Sequence, residues 1–172
     1  MLAAALLLPI VSRQVSRRWP RLDQPFRYGV FAVYVLANLY ETLLFRAVRP
    51  DYHMRLELLW SYREALSKTL AVTSMGLLEE ILLNVLLYIP LGYLLPYTWQ
   101  RFFDQGKRVP WLVILIGFVC SALTESAQLL FRIGVFELDD MLNNTMGTAI
   151  GCLLYMLWMR RHTAEWKKEY RE

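Results

Sequence analysis

Cysteine and histidine are rare in this chain of 172 residues, which contains two of each. Cys120 and Cys152 both lie inside apolar runs, where a free thiol packs as a small hydrophobic group. His53 and His162 are far apart, and the chain has no cysteine or histidine spacing typical of zinc ligands. The sequence therefore predicts no disulfide framework, no metal site and no bound cofactor.

Charged residues are also scarce, at 20% of the chain, whereas 56% of the residues are hydrophobic. The charges lie in the gaps between apolar runs that are long enough to cross a membrane. A net charge of +4 would suit nucleic-acid binding, but the basic residues adjoin the apolar runs and fit a role in membrane orientation better. We therefore expect membrane lipids as partners and no nucleic acid.

Four apolar runs predict an all-α fold, a polytopic transmembrane helix bundle, because a spanning helix needs about 20 mostly apolar residues. The runs are residues 28–48, 80–98, 110–131 and 141–159. Pro90 and Gly92 interrupt the second run and predict a kink in its helix.

Two further segments accompany the four runs. Residues 1–11 are apolar but too short to span alone, so they form either an interfacial helix or the remnant of a fifth span. Residues 54–70 predict an amphipathic helix that lies on the outer membrane surface or across the mouth of the bundle. The chain divides into residues 1–27 with a basic stretch, a transmembrane domain over 28–160, and a charged tail over 161–172.

The positions of basic residues indicate the orientation of the bundle. Arginine and lysine outnumber acidic residues in segment 12–27, in the 99–109 loop and in the tail. The connections 49–79 and 132–140 are mixed or acidic instead. The positive-inside rule therefore places both termini and the 99–109 loop in the cytoplasm.

Polar residues recur inside every predicted span, where an ionisable group is costly and suggests a function. Helical spacing aligns them into stripes, such as Ser121, Glu125, Gln128 and Arg132 on the third span. At 1.5 Å per residue, Glu41 and Glu125 lie on the order of 10 Å inside the outer ends of their helices. All the stripes meet in the outer half of the bilayer, which predicts a polar pocket there. The candidate functional residues are Glu41, Asn84, Glu125, Gln128, Arg132, Asp139, Asp140 and Asn143.

Ordinary structural roles compete with this interpretation. Gly147 and Gly151 form a small-residue packing motif, and polar side chains also join membrane helices to one another. Asp139 and Asp140 are suited to cap the fourth helix. For the asparagines, packing and function remain equal alternatives. A function is favoured for Glu125, because no capping position explains it.

Three sequence blocks resemble the VanZ family of bacterial membrane proteins. They are NVLLYIPLGYLLP, ALTESAQLLFR and ELDDMLNNTMGTAIG, in that order. The family pattern is matched by Asn84, Pro90 and Gly92, then by Glu125, Gln128 and Arg132, and then by Asp139, Asp140, Asn143, Gly147 and Gly151. The family often has an Asn-Leu-Ile-Pro-Phe-like stretch before its second block, whereas this chain has RLELLWSY.

This resemblance implies a multi-pass protein of the bacterial cytoplasmic membrane that lowers sensitivity to teicoplanin-type lipoglycopeptides or maintains the cell envelope. A lipid-linked cell-wall precursor or a lipoglycopeptide would then be its ligand. Two alternatives remain: an intramembrane enzyme acting on a lipid-linked substrate, and a small transporter. No nucleophile–base pair is recognisable, so no catalytic residue is assigned and a non-enzymatic role is favoured.

The predicted topology is testable by labelling single cysteines in intact cells. Thirteen of the nineteen basic residues fall in the segments assigned to the cytoplasm. We therefore expect Arg55→Cys and Glu137→Cys to react with a membrane-impermeant reagent from outside. Labelling of Lys107→Cys or Lys168→Cys in intact cells would contradict the assignment.

Overall fold

A computed structural model describes Val15 and residues 18–44, 46–67, 72–103 and 109–169, with the backbone alone beyond Arg160. Its helices are α1 (Asp23–Leu39), α2 (Trp60–Ser67), α3 (Val72–Thr98), α4 (Gln100–Phe103), α5 (Val109–Leu130) and α6 (Leu138–Glu169). A turn of 3-10 helix, Pro20–Leu22, precedes α1, and a π-helical turn, Tyr40–Leu44, follows it. The predicted N-terminal apolar segment 1–11 lies outside the described residues.

Two of the four predicted spans correspond to helices that are long and apolar enough to cross a membrane. They are Met75–Thr98, with a mean hydropathy of 1.6, and Pro110–Leu130, with 1.8. The described part of α1 is 17 residues long, and α6 begins with several polar side chains. That α1 and α6 also cross the membrane therefore stays a prediction.

Large apolar side chains are exposed on several helices. Leu36 of α1, Leu82 of α3, Leu123 of α5 and Leu153 of α6 each have more than half of their surface uncovered. A protein surrounded by water rarely exposes so much contiguous apolar surface. The outer faces of these helices are therefore consistent with contact to lipid.

Helices α3 and α6 pack against each other through glycines, so that their backbones come into direct contact. A Cβ atom added at Gly151 would lie 2.0 Å from the carbonyl oxygen of Ile89, and one at Gly147 would lie 2.2 Å from that of Val85. From the other helix, a Cβ at Gly92 would lie 1.9 Å from the carbonyl oxygen of Thr148. Only glycine permits this approach, which sets the register between the two helices.

The end of the bundle where α3 ends is packed with aromatic rings. Tyr93, Tyr97 and Tyr155 are buried together, and the rings of Tyr97 and Tyr155 contact Trp158. Arg27 of α1 lies over the ring of Tyr97 and donates to the Gln100 side chain at 2.8 Å. These contacts attach α1 to the end of α3.

At the opposite end, two short parallel strands join segments that are far apart in the chain. Strand β1 (His53–Arg55) pairs with β2 (Val135–Glu137), with Met54 opposite Phe136. The prediction of one amphipathic helix over 54–70 is wrong at its start, because residues 53–55 extend to pair with β2. The helix is confined to Trp60–Ser67 among the described residues.

The glycine contacts generate a prediction about stability. Gly151→Leu would insert a side chain where the backbone of α3 already lies. We therefore expect it to separate α3 from α6 and to destabilise the protein by roughly 1–3 kcal/mol. Thermal unfolding of the purified protein in detergent measures the effect. Gly29→Leu is the matched control, because nothing lies within 4 Å of a Cβ at Gly29. Equal melting temperatures for the two variants would contradict the contact.

Candidate functional site

A polar cavity of about 460 Å³ lies between the helices close to the β1–β2 end. Each of the four predicted spans contributes to its wall. The π turn after α1 provides Glu41 and Thr42, and α5 provides Glu125 and Gln128. The wall also includes Glu79, Glu80 and Asn84 of α3, and Asp140 and Asn144 of α6.

Carboxylates dominate the charge of this polar cavity. Glu41, Glu79, Glu80, Glu125 and Asp140 line it, and among the described lining residues Arg46 is the only cation. Glu79 and Glu80 are adjacent in the sequence near the start of α3, and neither was among the candidate functional residues predicted from the sequence. The excess of negative charge would attract cations.

Glu125 is the most enclosed of these carboxylates, with 2% of its surface exposed. It projects from α5, and its Oε2 accepts the backbone N–H of Glu137 at 3.1 Å. Strand β2 therefore covers Glu125 and holds one of its oxygens. The other carboxylate oxygen has no hydrogen bond recorded within the described part of the chain.

Asn84 and Asp140 form a direct bridge from α3 to α6. The Asn84 Nδ2 donates to the Asp140 Oδ1 at 2.6 Å. Gln128 makes a second bridge, because its Nε2 donates to the carbonyl oxygen of Thr42 at 3.1 Å and ties α5 to the π turn. The cavity wall is thus joined by hydrogen bonds between helices.

Asn144 contributes an amide to the same wall. Its Nδ2 donates to the Ser121 Oγ at 2.9 Å, whereas its buried Oδ1 has no hydrogen-bond partner in the described part of the chain. Asn144 is 4% exposed. A buried acceptor without a donor carries a free-energy cost, so this oxygen is suited to receive an N–H or O–H from a ligand.

Asp139 lies outside the cavity and performs a capping role different from the one expected. Fully buried, it accepts the backbone N–H of Leu59 at 2.5 Å and that of Ser61 at 2.9 Å. It also accepts the Ser61 hydroxyl at 2.6 Å. The carboxylate therefore caps α2, and not its own helix α6 as the sequence suggested. Leu59 adopts a left-handed φ of 61°, which these bonds help to stabilise.

Asn143 and Arg132 are also directed away from the cavity. The Asn143 Oδ1 accepts the hydroxyl of Tyr62, so this buried amide faces α2. Arg132 lies beyond the end of α5 with a φ of 56°, which breaks the helical stripe that had aligned it with Glu125. Its guanidinium lies 5.7 Å from the centre of the exposed Tyr52 ring.

A charged cluster ties β1 and α2 over this end of the protein. Glu137 accepts from Arg55 and from the indole N–H of Trp60, each at 3.1 Å, and Arg55 stacks on the Trp60 ring. Burial raises the pKa of the Glu137 carboxyl, and Arg55 opposes that rise. Because Glu137 is only 7% exposed, a cysteine there is a poorer topology reporter than one at the exposed Arg55.

An apolar groove of about 340 Å³ runs beside the polar cavity, between α1, α3 and α5. Its wall includes Val35, Leu39, Leu91, Leu123 and Ala127. Thr124 lines both spaces, so the groove and the cavity adjoin each other at that residue.

Comparison with known proteins identifies the family. A family profile described as VanZ/LLP1 matches residues 25–159. The chain belongs to the VanZ/LLP1 family. Protein VanZ of Enterococcus faecium is 32% identical over 85 residues, which are 49% of this chain and 49% of VanZ. The match therefore spans about half the length of that relative. No solved structure matches the chain.

The residues that carry the VanZ resemblance fall into three structural groups. One group lines the polar cavity: Asn84, Glu125, Gln128 and Asp140. The second contains Gly92, Gly147 and Gly151, which join α3 to α6 by close packing, and Pro90, which is buried within α3. The third, Asp139, Asn143 and Arg132, contacts the β1–α2 segment and the residues before it.

The capping role of Asp139 generates a prediction. Asp139→Ala removes the acceptor of two backbone N–H groups and one hydroxyl, so we expect a loss of roughly 1–3 kcal/mol and detachment of α2. Hydrogen–deuterium exchange at residues 59–62 should rise. Asp51→Ala, at an exposed carboxylate near the same end, is the control. Unchanged exchange in Asp139→Ala would contradict the cap.

Proposed function

We propose that this VanZ-family protein is a multi-pass protein of the bacterial cytoplasmic membrane with both termini in the cytoplasm. In this proposal it lowers sensitivity to teicoplanin-type lipoglycopeptides or contributes to envelope homeostasis, and it acts through the polar cavity. The observation that carries the proposal is the position of Glu125. This buried carboxylate lies in an apolar helix, lines a cavity, and belongs to a block shared with the VanZ pattern.

The location of the cavity supports an action at the outer leaflet. The cavity is built from the start of α3, the end of α5 and the start of α6. The positive-inside rule directs those three ends toward the outside. Lipid-linked cell-wall precursors and acylated antibiotics meet the membrane on that side, so either class of molecule would have access.

An intramembrane enzyme or a transporter acting on a lipid-linked envelope substrate is the second candidate. Glu125 and Asp140 line the same cavity, and two carboxylates at one site are a usual means of general acid–base chemistry. No catalytic residue is assigned, because the described lining residues do not include a nucleophile held by a base.

A charge-removing substitution tests the role of Glu125. Glu125→Gln retains the shape of the side chain and an oxygen that can accept the Glu137 N–H. We therefore expect normal folding and accumulation, and loss of the protein-dependent increase in the teicoplanin inhibitory concentration in a susceptible bacterial host.

Glu57→Gln is the matched control for that experiment. Glu57 is exposed and pairs with Arg63 at 2.7 Å, away from the residues that line the cavity. It should retain the full phenotype. If Glu125→Gln accumulates normally and is as resistant as the wild type, the charge of Glu125 has no part in the mechanism.

A further inference from the structure

The polar cavity and the apolar groove together have the form of a site for one molecule with a charged head and an alkyl chain. The two spaces share Thr124, and their volumes are about 460 and 340 Å³. The groove is lined mainly by apolar side chains, with Asn38 and Thr124 among them, whereas carboxylates and amides are the commonest side chains around the cavity. A lipid-like amphiphile has the same division between its two ends.

The charge of the cavity selects the sign of the head group. Five carboxylates and one arginine line it among the described residues, so an anionic head would be repelled unless a cation accompanied it. In the described part of the chain, no group of three or more His, Cys, Asp or Glu residues could hold a metal ion. Carboxylates that are distributed around the cavity wall, and not gathered at one point, are suited to an organic cation.

A second observation, independent of the carboxylates, indicates that the head group carries hydrogen-bond donors. Asn144 lines the cavity, and its buried Oδ1 has no hydrogen-bond donor among the residues that the structure describes. Asp140 receives one hydrogen bond from Asn84 and has a second oxygen to offer. A primary ammonium has three N–H donors for such acceptors, whereas a trimethylammonium has none.

We infer that the cavity and the groove bind one amphiphile, whose primary ammonium head lies among Glu80, Asp140 and Asn144 and whose alkyl chain lies along the groove beside Ala127. This inference rests on the proposed function, because it names the ligand class of the same cavity. The ammonium can belong to an aminated phospholipid or to an amine on another lipid-linked molecule.

Ligand binding to the purified full-length chain tests the inference. Native mass spectrometry in detergent would compare dihexanoyl phosphatidylethanolamine with chain-matched phosphatidylcholine and phosphatidylglycerol. We expect at least roughly tenfold tighter binding of the ethanolamine lipid, since it alone of the three carries an ammonium with N–H donors. Equal binding of the three lipids would overturn the inference.

Two further probes distinguish the source of the ammonium. Dodecylamine carries an amine and an alkyl chain without a phosphate, and ethanolamine phosphate carries the head group without a chain. Binding of dodecylamine as tight as that of the ethanolamine lipid assigns the site to amines in general. Preference for the ethanolamine lipid over dodecylamine assigns it to an aminated phospholipid. Ethanolamine phosphate should bind at least roughly tenfold more weakly than the ethanolamine lipid, because its head group lacks the chain contacts. Equal binding would overturn the role of the groove.

Substitutions locate the two ends of the ligand. Glu80→Gln and Asp140→Asn, tested separately, should each reduce the preference for the ethanolamine lipid severalfold, whereas Glu57→Gln should retain it. Ala127→Phe would fill the groove and weaken binding of every lipid. Ala32→Phe, on an exposed face of α1 outside the groove lining, is its matched control. Unchanged selectivity in both head-group variants, or unchanged affinity in Ala127→Phe, would overturn the inference.

These results separate the ligand from the phenotype. Selective amine binding in a protein that confers no teicoplanin resistance would contradict the proposed function and support the ligand class. Resistance that depends on Glu125 in a protein without amine selectivity would support the proposed function and contradict the ligand class.

Discussion

The direct contact between the backbones of α3 and α6 is the constraint on which the rest of the molecule depends. In lipid, apolar side chains give little net drive for helix association, so close packing and hydrogen bonds must hold the bundle together. Glycines at 147 and 151 remove the side chains that would separate the two helices, and Gly92 does the same from the other side. Once that register is set, Asn84 lies opposite Asp140, and α5 and the π turn are arranged around the pair.

The polar side chains of the bundle divide between joining helices and facing the cavity. The Gln128 amide donates a hydrogen bond to the π turn, and the Asn84 amide joins α3 to α6. Both side chains therefore hold the wall of the cavity in place. Glu125 has one oxygen held by strand β2 and is otherwise enclosed at the edge of the cavity. Packing and function are therefore not alternatives for these residues, because the hydrogen bonds that join the helices also fix the shape of the space between them.

Local patterns in the sequence predicted the helices well and their distant partners poorly. Runs of apolar residues and helical spacing were sufficient to identify α3 and α5 as candidate spans. The same spacing failed for Arg132, because the chain leaves the helix at Leu130 and no periodicity signals a left-handed residue. Asp139 was expected to cap α6, yet it caps α2, which lies about 80 residues earlier in the chain. A local sequence pattern cannot predict a contact between residues so far apart in the chain. The β1–β2 pairing was missed for the same reason.

The separation between β1 and β2 has a consequence for how the protein is made. Met54 pairs with Phe136, and the N-terminus of α2 is held by Asp139, so this cover depends on residues that the ribosome adds more than 70 positions later. Contacts between such distant segments form only after the chain between them has been synthesised. The order of synthesis therefore leaves Glu125 uncovered by β2 until the chain has been synthesised past the end of α5. Closure of this cover joins the first half of the chain to the second.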